Sequence, residues 1–535
     1  MKLAERIVRR WKGLPPARCE VEASRVWVPA TDGARLATEI LRPKGSPARG
    51  VVLVRSERVG AHPVATLARW LAEDGRTVVL QQCRGRGDSE GKFRPFLDEA
   101  DDALATLAWL DGEASLAGPP VLFGLGYSAW TAWSASAAAT ERGTPIAGIA
   151  AGFGARDPYA WLYPGGVLQQ EAALALAARL DGRNGHEPDA LDWERAARAF
   201  DTACDRVALR ELEAYREWID HPRPDDYWRA RTPAAPAATI PRLYVSGWFD
   251  PSLPALLAEP SPGKGEEVRV CLGPWGPTAL ARRDREGKTD PLGVVGESLL
   301  AFVARVVGAA ETRPAPARVF VVGEGWREFA DWPPAAAETR TLRFGASDPG
   351  EAGDAGDAGD GVLQTEPAAE STHFDFVHDP AAPPPACGGV SYSQPCGPAS
   401  LDRVGERGDV LTFTGPPLTE PWVLVGPVEA TLFVEARDPE APWCVRLAAV
   451  DANGESRWLA EGVGLEGDEG RVEVSLGAVG VRVASGERLR VLISGASVGR
   501  YARAERRTPE PRALHVGATE ASSLRVPVLG TIGRG

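Results

Sequence analysis

The chain is short of the features that would put it in a membrane or on a nucleic acid. No uninterrupted apolar run reaches the roughly 18 residues that a membrane-spanning helix needs. The charged opening Met1-Lys2-Leu3-Ala4-Glu5-Arg6-Ile7-Val8-Arg9-Arg10 lacks the apolar segment of a secretory signal. The expectation is a cytoplasmic protein. An excess of positive charge is missing as well: 60 Lys+Arg stand against 73 Asp+Glu, a net charge of −13, opposite in sign to what a polyanion attracts. Neither a nucleic acid nor a membrane is expected as a partner, and the acidic surface reads as a solubility feature. Cysteine is sparse. The seven (Cys19, Cys83, Cys204, Cys271, Cys387, Cys396, Cys444) are scattered, odd in number and without C-x-x-C spacing, which points to reduced thiols rather than disulfides or a zinc site. No metal and no cofactor is implied.

What is present is an ordinary globular composition, 44% hydrophobic and 25% charged, in a chain of 535 residues that can bury more than one core. Val51-Val52-Leu53-Val54 and Thr77-Val78-Val79-Leu80 read as buried parallel strands with a helical stretch, Ala65 to Glu73, between them. That spacing predicts a doubly wound sheet. From Gly152 to Ala234 the pattern turns helical: Gln169 to Leu180, Trp193 to Phe200 and Leu209 to Ile219 form a predicted inserted cap. Strands resume at Arg242-Leu243-Tyr244-Val245 and Val268-Arg269-Val270-Cys271-Leu272, and a last core helix is predicted over Glu297 to Val307. Beyond Thr312 the period becomes that of short strands, as in Ala317 to Val322, Val428 to Val434 and Arg488 to Ile493, which predicts a β-sandwich. The low-complexity run Gly353 to Gly361 reads as a loop tip. The expected organisation is core over 1–151, cap over 152–234, core again over 235–311 and sandwich over 312–535.

Six stretches resemble one family in order. They are Val28-Pro29-Ala30-Thr31-Asp32-Gly33, Arg84-Gly85-Arg86-Gly87-Asp88-Ser89-Glu90-Gly91, Gly118 through Trp133, Trp161-Leu162-Tyr163-Pro164-Gly165-Gly166, Asp225 to Arg231 followed by Gly247-Trp248-Phe249-Asp250, and Gly273-Pro274-Trp275. Further matches continue in the last third at Trp326-Arg327, Trp332-Pro333-Pro334, Asp379-Pro380, Gly388-Gly389, Asp409-Val410-Leu411 and Gly426-Pro427-Val428. The chain resembles the cocaine esterase and Xaa-Pro dipeptidyl-peptidase type of α/β hydrolase. The resemblance implies an α/β-hydrolase core, an inserted helical cap and a C-terminal jelly roll, around a cleft where esters or peptides are hydrolysed by a Ser-His-Asp triad.

The residues at the triad positions depart from that chemistry. In Phe123-Gly124-Leu125-Gly126-Tyr127-Ser128-Ala129 the resemblance assigns the nucleophile to Gly126, which has no side chain to present. The base falls on Pro277, which cannot take a proton, and the acid on Asp250, which is retained. The family's oxyanion tyrosine, in an Arg-Thr-Pro-Tyr type run, corresponds to Arg58 of Arg55-Ser56-Glu57-Arg58, with Tyr127 beside the same hole. A triad works as a unit, and losing the nucleophile or the base removes most of its acceleration, on the order of 10⁶-fold in a well-studied protease.

Each candidate has a plainer reading. Ser128 is the first suspect for a relocated nucleophile, yet moving the elbow by two residues breaks the ungapped match from Gly118 to Trp133, and serine is favoured at helix starts anyway. Asp250 is either an orphaned carboxylate with a raised pKa, compensated by Arg58, or a cap of the following turn. Trp248 and Trp275 are candidate cleft walls. Of the six histidines, His62, His186, His221, His373, His378 and His515, none follows Trp275; His378 and His221 read as packing residues, and His186 is the cap residue that could dip into the cleft. Gly85 to Asp88 reads as a turn and not as a phosphate loop. The leading expectation is a non-hydrolytic protein that binds, or promotes cyclisation, elimination or epimerisation of, an acyl, ester or peptidic small molecule. The alternatives are a serine hydrolase acting through Ser128 and a structural or regulatory partner; a homo-oligomer is compatible with all three.

Overall fold

The structure is a computed structural model and describes residues 9–10, 12–58, 63–113, 118–181, 212–259, 267–281, 290–308, 315–346, 360–366, 371–392, 396–436, 438, 440–502, 508–517 and 521–530. Ten strands form the first sheet: β1 (Val21–Pro29), β2 (Arg35–Pro43), β3 (Val51–Ser56), β4 (Thr77–Gln82), β5 (Val121–Leu125), β6 (Gly148–Gly152), β7 (Arg242–Gly247), β8 (Val268–Gly273), β9 (Ala317–Val321) and β10 (Gly325–Phe329). Their order is β1-β2-β4-β3-β5-β6-β7-β8-β9-β10, and all pairs from β4 to β9 are parallel. Parallel strands lie under helices on both faces, and β3, β5 and β7 are accordingly buried along their whole length. Helices packed on the sheet include α1 (Val64–Glu73), α2 (Glu99–Gly112) and α3 (Tyr127–Arg142), and the predicted last core helix spans Pro291–Val306. In α1 the buried Leu67, Trp70 and Leu71 share one helical face, and in α3 alanines and serines let the helix sit close to the sheet.

The chain builds outward from β3 in both directions, β4 on one side and β5 on the other. Such a reversal opens a crevice at the carboxyl ends of the two strands, where open sheets bind ligands. Here those ends are Ser56-Glu57-Arg58 and Leu125-Gly126-Tyr127.

Between β6 and β7 the cap carries short helices Pro158–Leu162 and Asp226–Arg229 and longer ones Gln170–Asp181 and Glu213–Asp220. The predicted helix over Trp193 to Phe200 lies outside the described residues. Trp161, Trp218, Trp228 and Leu176 of the cap join Tyr127, Trp130 and Phe96 of the core in one buried cluster, so the cap sits directly over the β5–α3 turn.

The C-terminal third is a strand-rich sandwich. Its longest strand, Trp422–Ala436, alternates buried with less buried residues and pairs with Arg471–Val483, Glu510–Val516 and Ser523–Leu529. Val428, Leu432, Val445, Leu447, Val491 and Ile493 fill its interior. One predicted assignment changes. Ala317 to Val322 was expected in the sandwich, but β9 hydrogen-bonds in parallel to β8 and extends the core sheet, covering an edge of β8 that would otherwise be open for pairing. Val322 then bridges to Val481 of the sandwich, so the expected boundary at 311/312 falls where the two sheets are stitched together. Of the low-complexity run, residues 353–359 lie outside the described residues, and Asp360 and Gly361 open the strand Asp360–Gln364.

Candidate active site

The turn from β5 into α3 is made by Gly126, at φ 64° and ψ −129°. This is a left-handed backbone that L side chains rarely adopt, and the sharp strand-to-helix elbow of a serine hydrolase demands such strain at its nucleophile. The position is roomy: a Cβ placed on Gly126 would lie 3.8 Å from the nearest atom, Phe153 O. The register is fixed by Gly124, where a Cβ would stand 1.9 Å from Ser128 O because α3 starts hard against the strand. The backbone geometry of such an elbow is thus in place at a residue without a hydroxyl.

Ser128 is the second residue of α3 and is buried. Its Oγ donates to Glu57 Oε2 at 3.3 Å, across the crevice at the end of β3. Tyr127 turns its side chain into the core, where its phenol donates to Glu99 Oε1 at 3.1 Å and accepts from Phe96 N at 3.2 Å; burial pushes this phenol well above its ordinary pKa. At the elbow Tyr127 therefore offers only its backbone N–H. Arg58 is half-buried, and its N–H donates to Ser56 Oγ at 3.1 Å.

The loops after β7 and β8 are laced together. Trp248 N donates to Gly273 O at 2.9 Å and Phe249 N to Trp275 O at 3.0 Å, which puts Asp250 beside the half-buried Pro277 loop. Asp250 is fully buried, and burial raises its pKa. The opposing hydrogen bonds come from the Ser246 hydroxyl, the Ser252 hydroxyl at 2.8 Å and the Ser252 N–H at 3.0 Å. The expectation that Arg58 compensates this carboxylate is corrected: among the described residues its partners are these two serines, because β5 and β6 lie between β3 and β7 and the serines flank Asp250 in sequence. Asp250 does cap the following turn, through that Ser252 N–H.

Of the two tryptophans, Trp248 donates from Nε1 to Phe320 O at 2.7 Å and braces β9. It also lines a narrow crevice with Asp250, Gln169, Glu461 and Tyr501, between core, cap and sandwich. Trp275 packs its ring against Trp326 of β10, centroids 5.6 Å apart, so it is a buried core contact.

The described histidines lie elsewhere. His221 Nδ1 meets Asp225 Oδ2 at 2.6 Å at the exit from the cap, and its ring stacks on Tyr227. His378 is buried in the sandwich, where desolvation and then Arg512 push its pKa down to about 4. His373 and His515 face each other across two sandwich strands. His62 and His186 lie outside the described residues.

Sequence reasoning passed over two groups at the crevice. Glu57 accepts from Ser56 Oγ at 3.4 Å as well as from Ser128. Arg86 lies over the Phe93 ring at 3.9 Å, with its Nε buried and without a hydrogen-bond partner, and burial lowers its pKa while Glu57 is the first charge to oppose that. The signal available was the exchange of a family proline for Glu57 in Arg55-Ser56-Glu57-Arg58. Two phenylalanines, Phe96 (φ 62°) and Phe153 (φ 51°), hold positive-φ conformations on either side of the elbow, as strained residues around functional sites do.

A parallel sheet with an elbow after its central strand, a carboxylate after β7, an inserted cap and an appended sandwich defines an α/β hydrolase of the two-domain type. The chain belongs to the X-Pro dipeptidyl-peptidase (S15) family: the family profile matches residues 32–276, and that of the X-Pro dipeptidyl-peptidase C-terminal non-catalytic domain matches residues 309–525. It is 28% identical to the cocaine esterase of Rhodococcus sp. (strain MB1 Bresler) over 482 residues, 82% of each chain. In fold it is similar to an aminopeptidase from a marine sediment archaeon, Thaumarchaeota archaeon (TM-score 0.75, 21% identity, 96% of this chain and 98% of that one). It is also similar in fold to an α-amino acid ester hydrolase (TM-score 0.74, 18% identity, 96% and 98%). Among the described residues no helix is long and apolar enough to cross a membrane.

Proposed function

We propose that this chain is a member of the S15 esterase and peptidase family that has given up serine hydrolysis and uses the crevice between β3 and β5 to bind an acyl, ester or peptidic small molecule, or to promote a non-hydrolytic change in it. The observation that carries this reading is Gly126 itself, at φ 64° in the elbow with open space where a side chain would project. Pro277 in the loop after β8 supports it, since a proline supplies no base. A ligand carboxylate or polarised carbonyl suits the crevice. The uncapped start of α3, with no acidic residue in its first turn, presents N–H groups and the positive end of the helix there, and Arg58 and Arg86 stand at the neighbouring loops. The free thiols of the described cysteines fit a cytoplasmic setting.

A second reading is favoured by one contact. Ser128 Oγ lies 3.3 Å from Glu57 Oε2, a hydroxyl paired with a carboxylate that could act as its base. Against it stand the burial of Ser128 and its place inside α3 rather than at the turn.

p-Nitrophenyl acyl esters and a fluorophosphonate probe separate the two. The expected result is neither turnover nor labelling in the wild type, whereas the double variant G126S/P277H, which returns a hydroxyl and an imidazole to the elbow, becomes labelled. Wild-type labelling that Ser128→Ala abolishes would overturn the non-hydrolytic reading. If esters and labels are both inert, a thermal-shift screen of acids, esters and short peptides divides a ligand-binding crevice from a structural partner, and Arg58→Ala should remove any shift that needs a carboxylate.

A further inference from the structure

We propose that Glu57 is the proton-transferring group of this crevice, acting on the carbon next to the carbonyl of a bound acyl ligand. The inference rests on the non-hydrolytic reading above and gives it a chemistry. Four observations carry it. Glu57 stands at the carboxyl end of β3, on the side where the strand order reverses, and it contacts the first turn of α3 through Ser128. Its two oxygens are unequal. Oε2 accepts from Ser56 and Ser128 at 3.4 and 3.3 Å, while Oε1 has no hydrogen-bond partner among the described residues and the side chain is only half-buried. A carboxylate held by one oxygen and open at the other is fixed in orientation and still free to take a proton. The start of α3 lies within reach of the same space with its N–H groups uncapped by any side chain, so an oxyanion forming on the ligand's carbonyl would meet fixed dipoles. Finally, Arg86 in the turn after β4 holds its guanidinium over the Phe93 ring at 3.9 Å with a buried Nε that has no hydrogen-bond partner, and its positive charge is felt by Glu57.

In the step, Glu57 Oε1 bonds to the proton and the C–H bond α to the carbonyl breaks. Its electron pair moves into the carbonyl as an enolate, whose oxygen is held by the α3 N–H groups. Return of a proton from Glu57 to the same carbon closes the cycle with no oxidant, reductant or leaving group. Delivery of a proton from water to the opposite face, with the proton on Glu57 passing to water, inverts that carbon. The ligand class is therefore an acyl compound with an acidic C–H next to its carbonyl, as in a thioester or an aryl-substituted ester, and hydrolysis forms no part of the step.

The test uses the full-length protein and the N-acetylcysteamine thioester of 2-phenylpropionic acid in D2O, followed by proton NMR. The expected result is loss of the α-proton signal to deuterium, at least tenfold faster with wild type than with the isosteric Glu57→Gln, and partly retained in Glu57→Asp. The thermal shift produced by the thioester should be the same in wild type and Glu57→Gln, since the amide still accepts from both serines. Equal exchange in wild type and Glu57→Gln, or no exchange above buffer, overturns the inference while leaving a non-hydrolytic binding crevice intact. Cleavage of the thioester instead, lost in Ser128→Ala, overturns the functional reading and the inference together.

Discussion

At position 126 the backbone of a sharp strand-to-helix elbow stands without a side chain, and the two are physically separable. The elbow's strain is set by Gly126 N donating to Gly152 O at 2.8 Å and by the abrupt start of α3, neither of which needs a hydroxyl. A glycine relaxes that strain by about 1–3 kcal/mol relative to a residue with a Cβ, so the turn holds with no side chain at its apex. Asp250 tells the complementary story. Its carboxylate is buried against two serines and, in the absence of a cation among the described residues, its pKa is raised above the ordinary 3.8. The folded state then binds the proton more tightly than the unfolded chain. The contribution of Asp250 to stability is fully present below the unfolded pKa and is lost as pH rises through the folded one. Asp250→Asn, which can satisfy Ser246, Ser252 and the Ser252 N–H, should therefore melt higher than wild type at pH 8, with the gain shrinking toward pH 4; calorimetry at the two pH values checks this. A gain that grows on acidification would contradict the raised pKa.

The elements around the elbow are held by a buried ion network rather than by packing alone. Arg55 on β3 pairs with Glu99 Oε2 at 2.8 Å and lies 3.5 Å from Asp102 Oδ2, both on α2, while its Nε donates to Gln81 Oε1 of β4 at 2.8 Å. Glu99 in turn holds the Tyr127 phenol of α3. One carboxylate thus ties β3, α2 and α3 together beneath the crevice. Removing one partner of a buried pair leaves the other charge uncompensated, which costs about 3–5 kcal/mol. Glu99→Ala should lower the unfolding free energy by that amount in urea titration, and Glu99→Gln by less, because the amide still accepts from Tyr127. Equal losses would mean that the charge alone holds the junction, and no loss in Glu99→Gln would mean that the charge does not hold it. The glycine-rich turn after β4, read in the sequence as a plain turn, serves this arrangement too: it carries Arg84, which joins Asp102 to Asp32 of the opening strands, and Arg86 at the crevice.

On the scale of the molecule the sandwich is part of the hydrolase unit. β9 and β10 belong to the core sheet, Val322 bridges to Val481, and Trp458 of the sandwich packs against Phe249 in the Asp250 loop with ring centroids 5.9 Å apart. Trp458 is buried, and cutting a buried tryptophan to alanine costs about 3–5 kcal/mol through lost contacts and the cavity left behind. Trp458→Ala should shift the whole heat-unfolding transition downward as one cooperative event, because the ring stands at the seam of both sheets. A variant that splits the transition in two would show the sandwich unfolding on its own. The order of units along the chain was legible in the sequence, since apolar runs of parallel strands, the alanine-rich cap helix and the alternating strands of the sandwich each carry their own period. The affiliation of Ala317 to Val322 was not, because an alternating strand looks the same whichever sheet accepts its hydrogen bonds.

The sequence by itself determined which side chains the elbow and the following loops can offer: a glycine at 126, a proline at 277 and an aspartate at 250 are facts of composition at fixed positions, and no folding changes their chemistry. Only the tertiary structure decided what stands beside them. Asp250 is satisfied by Ser246 and Ser252, Ser128 turns to Glu57, and Glu57 comes to face the start of α3 from the neighbouring strand, across 71 positions of chain. Residue identity is local, whereas proximity depends on strand order and on the burial that fixes each rotamer, and neither is written at the residues concerned.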